Sequence, residues 1–113
     1  MKEVESALAK SAVDNQMLGL VGLGVRSRRV VVGVEMVRAA AKKGTLVLAI
    51  VAPDASRHSR EKVLPLLAAK GVQVIEGPSA AALGAAAGRE TTAAVGVIDR
   101  DLAKGIASIA ERR

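Results

Sequence analysis

The sequence predicts an α/β sandwich, and two observations carry that expectation. Short β-branched runs at 30–32, 45–52, 72–75 and 91–98 alternate with stretches of helical periodicity. Gly33, Gly44, Gly71, Gly77-Pro78 and Gly88 stand where the period changes. Strands alternating with helices bury their apolar faces by packing in layers on a sheet. At 113 residues the chain makes one domain with one modest core, and no linker, repeat or low-complexity segment marks a second.

Taken in order, residues 1–13 read as an N-terminal arm or weak helix ahead of a domain spanning 14–113. Asp14 suits the N-cap of a helix whose apolar positions Met17, Leu18, Val21 and Val25 have helical spacing. Its run GLVGLG would serve as a dinucleotide loop only with a strand before it and a helix after it. Here a helical pattern precedes and an arginine turn follows, so the glycines read as close packing of a helix on a sheet. Residues 30–32 form a strand, Gly33 a junction, and about 34–43 a helix with Glu35 in its first turn and Gly44 as its left-handed stop. TLVLAIVA, 45–52, has the continuous apolar character of a strand buried on both faces. Residues 53–56 are a turn in which Ser56 can cap the helix 57–70. Pro65 within that helix predicts a break near 63–64 and a fresh start at the proline. Then come a strand at 72–75, an alanine-rich helix at 79–87, an exposed tip at Arg89-Glu90 and a strand at 91–98. Asp99 caps a last helix with Leu102, Ile106 and Ile109 on one face. The strands at 45–52 and 72–75, each followed by a helical crossover, are expected to run parallel to their successors.

Composition narrows the chemistry. The chain has no Phe, Tyr, Trp or Cys, so its core is built from Val, Leu, Ile, Ala and Met, without disulfides or a thiolate metal site. The N-terminus, Met-Lys-Glu-Val-Glu, is too acidic for a secretory signal, which favours the cytoplasm. Catalysis has little to stand on. The lone His58 lies among Arg57, Ser59 and Arg60 at a helix start and reads as a solvated residue. No nucleophile elbow, Walker loop, zinc motif or calcium loop occurs. Asp99 and Asp101 are explained by helix capping, and neither a cofactor nor a metal is implied.

Charge is more informative. The segment RSRRVVVGVEMVRAAAKKG, residues 26–44, holds Arg26, Arg28, Arg29, Arg38, Lys42 and Lys43 against Glu35 alone, in a chain of net charge +6. A basic turn, a strand, a glycine and a helix start read together as a surface that meets phosphates, since the first amides of a helix lack internal partners. Nucleic acid is the natural acidic partner. Single-strand readers stack bases on aromatic side chains, and this chain has none. A folded RNA, gripped at phosphates and touched at a few base edges, fits better. Arg57, Arg60 and Lys62 could extend the basic surface, and Arg89 could add a contact from its loop tip.

The order VGLGVRSRRVVVGVEMVRAAAKKGTLVLAIVAPDAS, followed by a proline-containing helix, GVQVIEG, LGAAAGRE and TTAAVGVIDRDLAKGI, resembles the kink-turn RNA-binding ribosomal-protein superfamily, the L-seven-Ae, L-thirty-e, S-twelve-e and Gadd group. Within it the likeness is nearest to the bacterial YlxQ-type branch. It covers about residues 14–106 and rests on Gly22-Leu23, Arg29, Gly33, Gly44, Ala52, Asp54, Ala55, Leu83-Gly84 and Gly88 in that order. The resemblance implies a three-layer α/β/α sandwich with a four-stranded mixed sheet. It also implies an RNA surface made of Arg28, Arg29, Gly33, Val34, Glu35, Met36, Arg38, Ala39 and Lys42, with the tip Arg89, Glu90 and Thr91. Kink-turn binders carry Gly-x-Asn-Glu-x-x-Lys at the helix start; in this register the chain has Glu35, Met36 and Ala39 in place of Asn, Glu and Lys. Two readings follow. One is a non-enzymatic binder of structured RNA, ribosomal or other, associated with ribosomes. The other is a protein-interaction module that keeps the fold and has lost kink-turn specificity.

Overall fold

The computed structural model describes residues 2–112, with side chains from residue 11 onward. The elements follow as α1 (Lys2–Arg26), β1 (Val30–Val32), α2 (Val34–Lys43), β2 (Leu48–Val51), α3 (Arg57–Ala69), β3 (Gln73–Glu76), α4 (Ala80–Ala86), β4 (Ala94–Val97) and α5 (Arg100–Ala110). The sheet order is β1-β4-β2-β3. β2 and β3 are parallel, and β4 runs antiparallel to both β1 and β2.

Alternation along the strands sorts the core into two layers. Leu48, Ile50, Val95 and Val97 face α1, α4 and α5, where Met17, Val21, Leu83 and Ile106 are buried against them. Ala49, Val51 and Ala94 face α2 and α3, where they meet Val37, Ala40, Ala41, Val63 and Leu67. This is the α/β/α sandwich with a four-stranded mixed sheet. Among the described residues the core is aliphatic throughout, with Met17 as its one sulfur side chain. Small residues take the place that aromatics leave empty: Gly96 faces α2, and a Cβ there would lie 2.5 Å from Leu46 Cδ1.

The structure corrects four expectations. Asp14 does not open a helix, because α1 runs unbroken from Lys2 to Arg26; residues 3–12 contain no glycine or proline to stop a helix. Pro65 does not split α3. It lies on the exposed face with Glu61, whose carbonyl loses its intrahelical donor because proline has no N–H. The strands at 45–52 and 91–98 shorten to Leu48–Val51 and Ala94–Val97, although Val47 N–H still donates to Val97 O at 2.9 Å and Ala52 N–H to Ala93 O at 2.8 Å. Finally, β3 is not parallel to its successor. The α4 unit is pinned at the end of the sheet where β3 finishes. Asp54 Oδ1 accepts from Ala80 N–H at 2.8 Å, and Thr92 N–H donates to Ala80 O at 3.1 Å. The chain therefore re-enters the sheet at the end it left, and β4 runs back.

Three helix starts are capped as the sequence suggests, by Ser56, Ser79 and Asp99, each accepting from the amide three residues on. Gly44 closes α2 in the left-handed conformation at φ 79°. Of the GLVGLG glycines, Gly24 packs tightly, since a Cβ would fall 2.3 Å from Val30 Cγ2, whereas at Gly19 nothing lies within 4 Å.

Two substitutions separate packing from propensity. A Cβ at Gly84 would sit 2.5 Å from Thr91 Cα and 2.8 Å from Glu90 O, backbone atoms that cannot rotate away. Gly84→Ala is expected to cost about 1–3 kcal/mol. Gly19→Ala meets open space inside a helix and is expected to gain about 0.5–1 kcal/mol. Thermal melts check both. A Gly84→Ala protein melting with the parent would mean that α4 and the 89–91 loop are not wedged together.

Candidate nucleic-acid interface

β1 separates what the sequence places side by side. At one end of the sheet, Gly33 N–H donates to Ala94 O at 2.9 Å. The start of α2, the turn at 52–55, the end of β3 and the loop at 88–93 all gather there. At the other end, Arg29 O accepts from Ile98 N–H at 2.9 Å. The α1–β1 turn, the end of α2 and the start of α5 gather there. Arg29 and Gly33 are thus about 13 Å apart along an extended strand.

The first end holds Gly33, Val34, Glu35, Met36 and Arg38 of α2, and Arg89, Glu90 and Thr91 of the loop. Gly33 has φ 96° and ψ 156°, a region open in practice only to glycine, and provides no side-chain cap. The first-turn amides of α2 therefore face outward without an internal acceptor. Glu35 and Arg38 lean toward α3. Lys62 Nζ lies 3.4 Å from Glu35 Oε1, and Arg38 donates to the Lys62 carbonyl. Nearby, Arg57 pairs with Glu61 at 2.8 Å, and Arg60 pairs with Glu76 while donating to Ala52 O at 3.1 Å. Arg57 and Arg60 are therefore each paired with an acid of the fold. With Arg38, Lys62 and Arg89, this end carries five cations against Glu35, Asp54, Glu61, Glu76 and Glu90, and is electrically balanced.

The second end carries the charge. Arg26, Arg28 and Arg29 come from the α1–β1 turn, Lys42 and Lys43 from the end of α2, and Lys70 from the end of α3. Arg100 and Lys104 come from α5. The acids there are Asp99, Asp101 and Glu111. Arg29 lies 3.9 Å from Asp99, a loose pair, and its side chain is 57% exposed. Arg28 has φ 62°, an uncommon conformation for a residue with a Cβ. The turn imposes it: Arg28 N–H donates to Val25 O at 3.2 Å and Arg29 N–H to Gly24 O at 2.7 Å.

An apolar strip joins the two ends along the free side of α2. Met36, Ala39 and Lys43 line a shallow hollow with Val31, Thr45 and Ile98. Met36 and Ile98 are 54% and 37% exposed. The sequence reading named Lys43 within the basic segment but did not single out Ile98, Arg100 or Lys104 for this surface. As a string 98–104 is neutral, Arg100 and Lys104 against Asp99 and Asp101, and capping with the apolar spacing explained that helix without its cations.

At Gly33 a Cβ would meet nothing within 4 Å, so any penalty there is conformational and not steric. Gly33→Ala is expected to lower stability by about 1–3 kcal/mol, read as the urea midpoint at unchanged slope. An unchanged midpoint would mean that the β1–α2 junction relaxes without cost.

Comparison with known proteins places this geometry. No curated protein sequence matches the chain. Among solved structures, a protein of unknown function from Bacillus halodurans superposes with a TM-score of 0.77 at 28% identity, over 84% of this chain and 96% of that one. The Giardia lamblia 15.5kD RNA binding protein superposes with a TM-score of 0.73 at 24% identity, over 89% of this chain and 87% of that one. The model of the ribosomal protein L7Ae/L30e/S12e/Gadd45 family matches residues 15–106, almost the whole of the fold described above, and the chain belongs to that family.

Proposed function

We propose that this chain is a non-enzymatic binder of structured RNA, reading it with the start of α2, the turn at 52–55 and the loop at 89–91. The observation that carries the reading is the first turn of α2. Of the helices α2 to α5 it alone starts without a side-chain cap, and it does so on an exposed corner beside the 89–91 loop. Outward amides at a helix start suit phosphate oxygens and base-edge acceptors. Family membership and the shared fold of the Giardia RNA-binding protein support the same reading. Ribosomal RNA in the cytoplasm is the partner that fits the family best. Among the described residues no helix is long and apolar enough to cross a membrane.

A second reading, a protein-interaction module on the same scaffold, is favoured by one feature: the balanced charge around the start of α2. Salt separates the two. RNA binding falls steeply with salt through counterion release, while an apolar protein interface is far less sensitive. Crosslinking in cells with sequencing of the bound RNA tests the first reading directly, and recovery of no RNA above background would favour the second.

Specific kink-turn recognition is expected to be weak. Ionised Glu35 accepts hydrogen bonds and cannot supply the donors of an amide. Met36 offers nothing to a guanine edge, where a good bidentate contact is worth about 1–3 kcal/mol. Ala39 brings no charge. Together these changes are expected to cost about 2–5 kcal/mol against a kink turn. The triple change Glu35→Asn, Met36→Glu, Ala39→Lys is expected to recover most of it, measured as the dissociation constant for a standard kink-turn RNA. Nanomolar binding by the unaltered chain in physiological salt would refute this expectation.

A further inference from the structure

We propose that the opposite end of the sheet is a second RNA site, which grips the phosphodiester backbone of a separate segment through Arg28, Arg29, Lys42, Lys43, Arg100 and Lys104. The proposal rests on the RNA-binding reading above and extends it to a surface that the α2 start does not reach. All six side chains belong to exposed residues. They are contiguous. Lys43 shares a hollow with Ile98, whose amide is bonded to Arg29 O. Arg100 and Lys104 line an open groove of about 830 Å³ whose other wall includes Gly44, the residue after Lys43.

Three features point to a partner rather than to a merely solvated surface. The imbalance is local, since the first end pairs its cations in three ion pairs and, among the described residues, this end has only the loose Arg29–Asp99 contact. Arg100 stands at the first position of α5, where the helix dipole disfavours a cation, so the fold itself gains nothing from its charge there. Arg28 holds φ 62° at a turn where Asn or Gly would sit with less strain. The ligand chemistry follows from the side chains: arginine forks and lysine ammonium groups without a single aromatic to stack bases. That set grips phosphates and does not read sequence. The two ends lie about 15 Å apart along the ten residues of α2. The separation exceeds the screening length of about 8 Å in physiological salt, so charge at one end adds little to phosphate binding at the other.

The test uses the full chain and two variants. One alters the second end: Arg28→Asn, Lys43→Gln, Arg100→Gln, Lys104→Gln. The other alters the first end: Arg89→Gln with Gly33→Ala. The probes are an uninterrupted RNA hairpin and an equimolar mixture of two such hairpins labelled with donor and acceptor dyes. The unaltered chain is expected to bring the two hairpins into one complex. The second-end variant is expected to lose that transfer signal and to lower the slope of log affinity against log salt by about three units. The first-end variant is expected to lose the transfer signal while keeping most of the slope. An unchanged slope in the second-end variant overturns the second site and leaves the α2 reading intact. Loss of the slope with no effect of the first-end variant supports the second site and instead removes the α2 reading. Binding of neither probe by the unaltered chain removes both.

Discussion

The ladder of β4 is the constraint on which the rest of the molecule depends. This strand lies between β1 and β2, antiparallel to each, and is buried along its whole length. Its flanks continue the bonding at both ends: Ala93 and Ala94 carbonyls accept from Ala52 and Gly33, while Ile98 donates to Arg29 and Val97 accepts from Val47. Each of these bonds fixes a loop whose own sequence specifies little. The start of α2 is where it is because Gly33 is tied to Ala94. The basic turn is where it is because Arg29 is tied to Ile98. Backbone groups buried beside a sheet have no alternative partner, which makes these positions stiff.

A core without aromatics sets the next level. Ala40, Ala41, Ala49, Ala94 and Gly96 line the face between α2 and the sheet, so the helix rides close and its axis is well defined. Tight packing of small side chains transmits position with little slack. α2 consequently acts as a spacer of fixed length between an uncapped start and a lysine-bearing end. Its exposed flank, Met36 and Ala39, runs from one to the other.

Much of the fold was legible in the sequence because periodicity and punctuation agreed. Ser56, Ser79, Asp99 and Gly44 all work where local chemistry placed them. The failures have a shared cause. The direction of β4, the continuity of α3 through Pro65 and the continuation of α1 through Asp14 depend on which face meets solvent or on contacts distant in sequence. Asp54 holding Ala80 is a 26-residue separation that no local pattern encodes. The same cause split the candidate site. Residues 26–44 look like one basic surface when read as a string. A three-residue strand in their middle carries the start of α2 to one end of the sheet, while α2 returns Lys42 and Lys43 to the other beside Arg26, Arg28 and Arg29, and the charge that completes that end comes from Arg100 and Lys104, more than fifty residues away.

This division changes how Glu35 is to be understood. On a single basic surface an acid at the helix start would be a defect, since it weakens attraction for phosphate where attraction is needed. In the structure Glu35 sits on a balanced end and is met by Lys62. In the proposed reading the electrostatic pull on a polyanion comes from the other end, where cations outnumber acids and few are paired. Counterion release there provides affinity that is sequence-blind and salt-dependent. The uncapped amides of α2 act only within hydrogen-bond reach, and their contribution varies little with salt. In the proposed reading affinity and discrimination therefore reside in different places, joined by one helix. A change at the reading end can then alter which RNA is chosen without abolishing the hold on RNA, so the departure of residues 35, 36 and 39 from the kink-turn pattern is compatible with an RNA-binding protein.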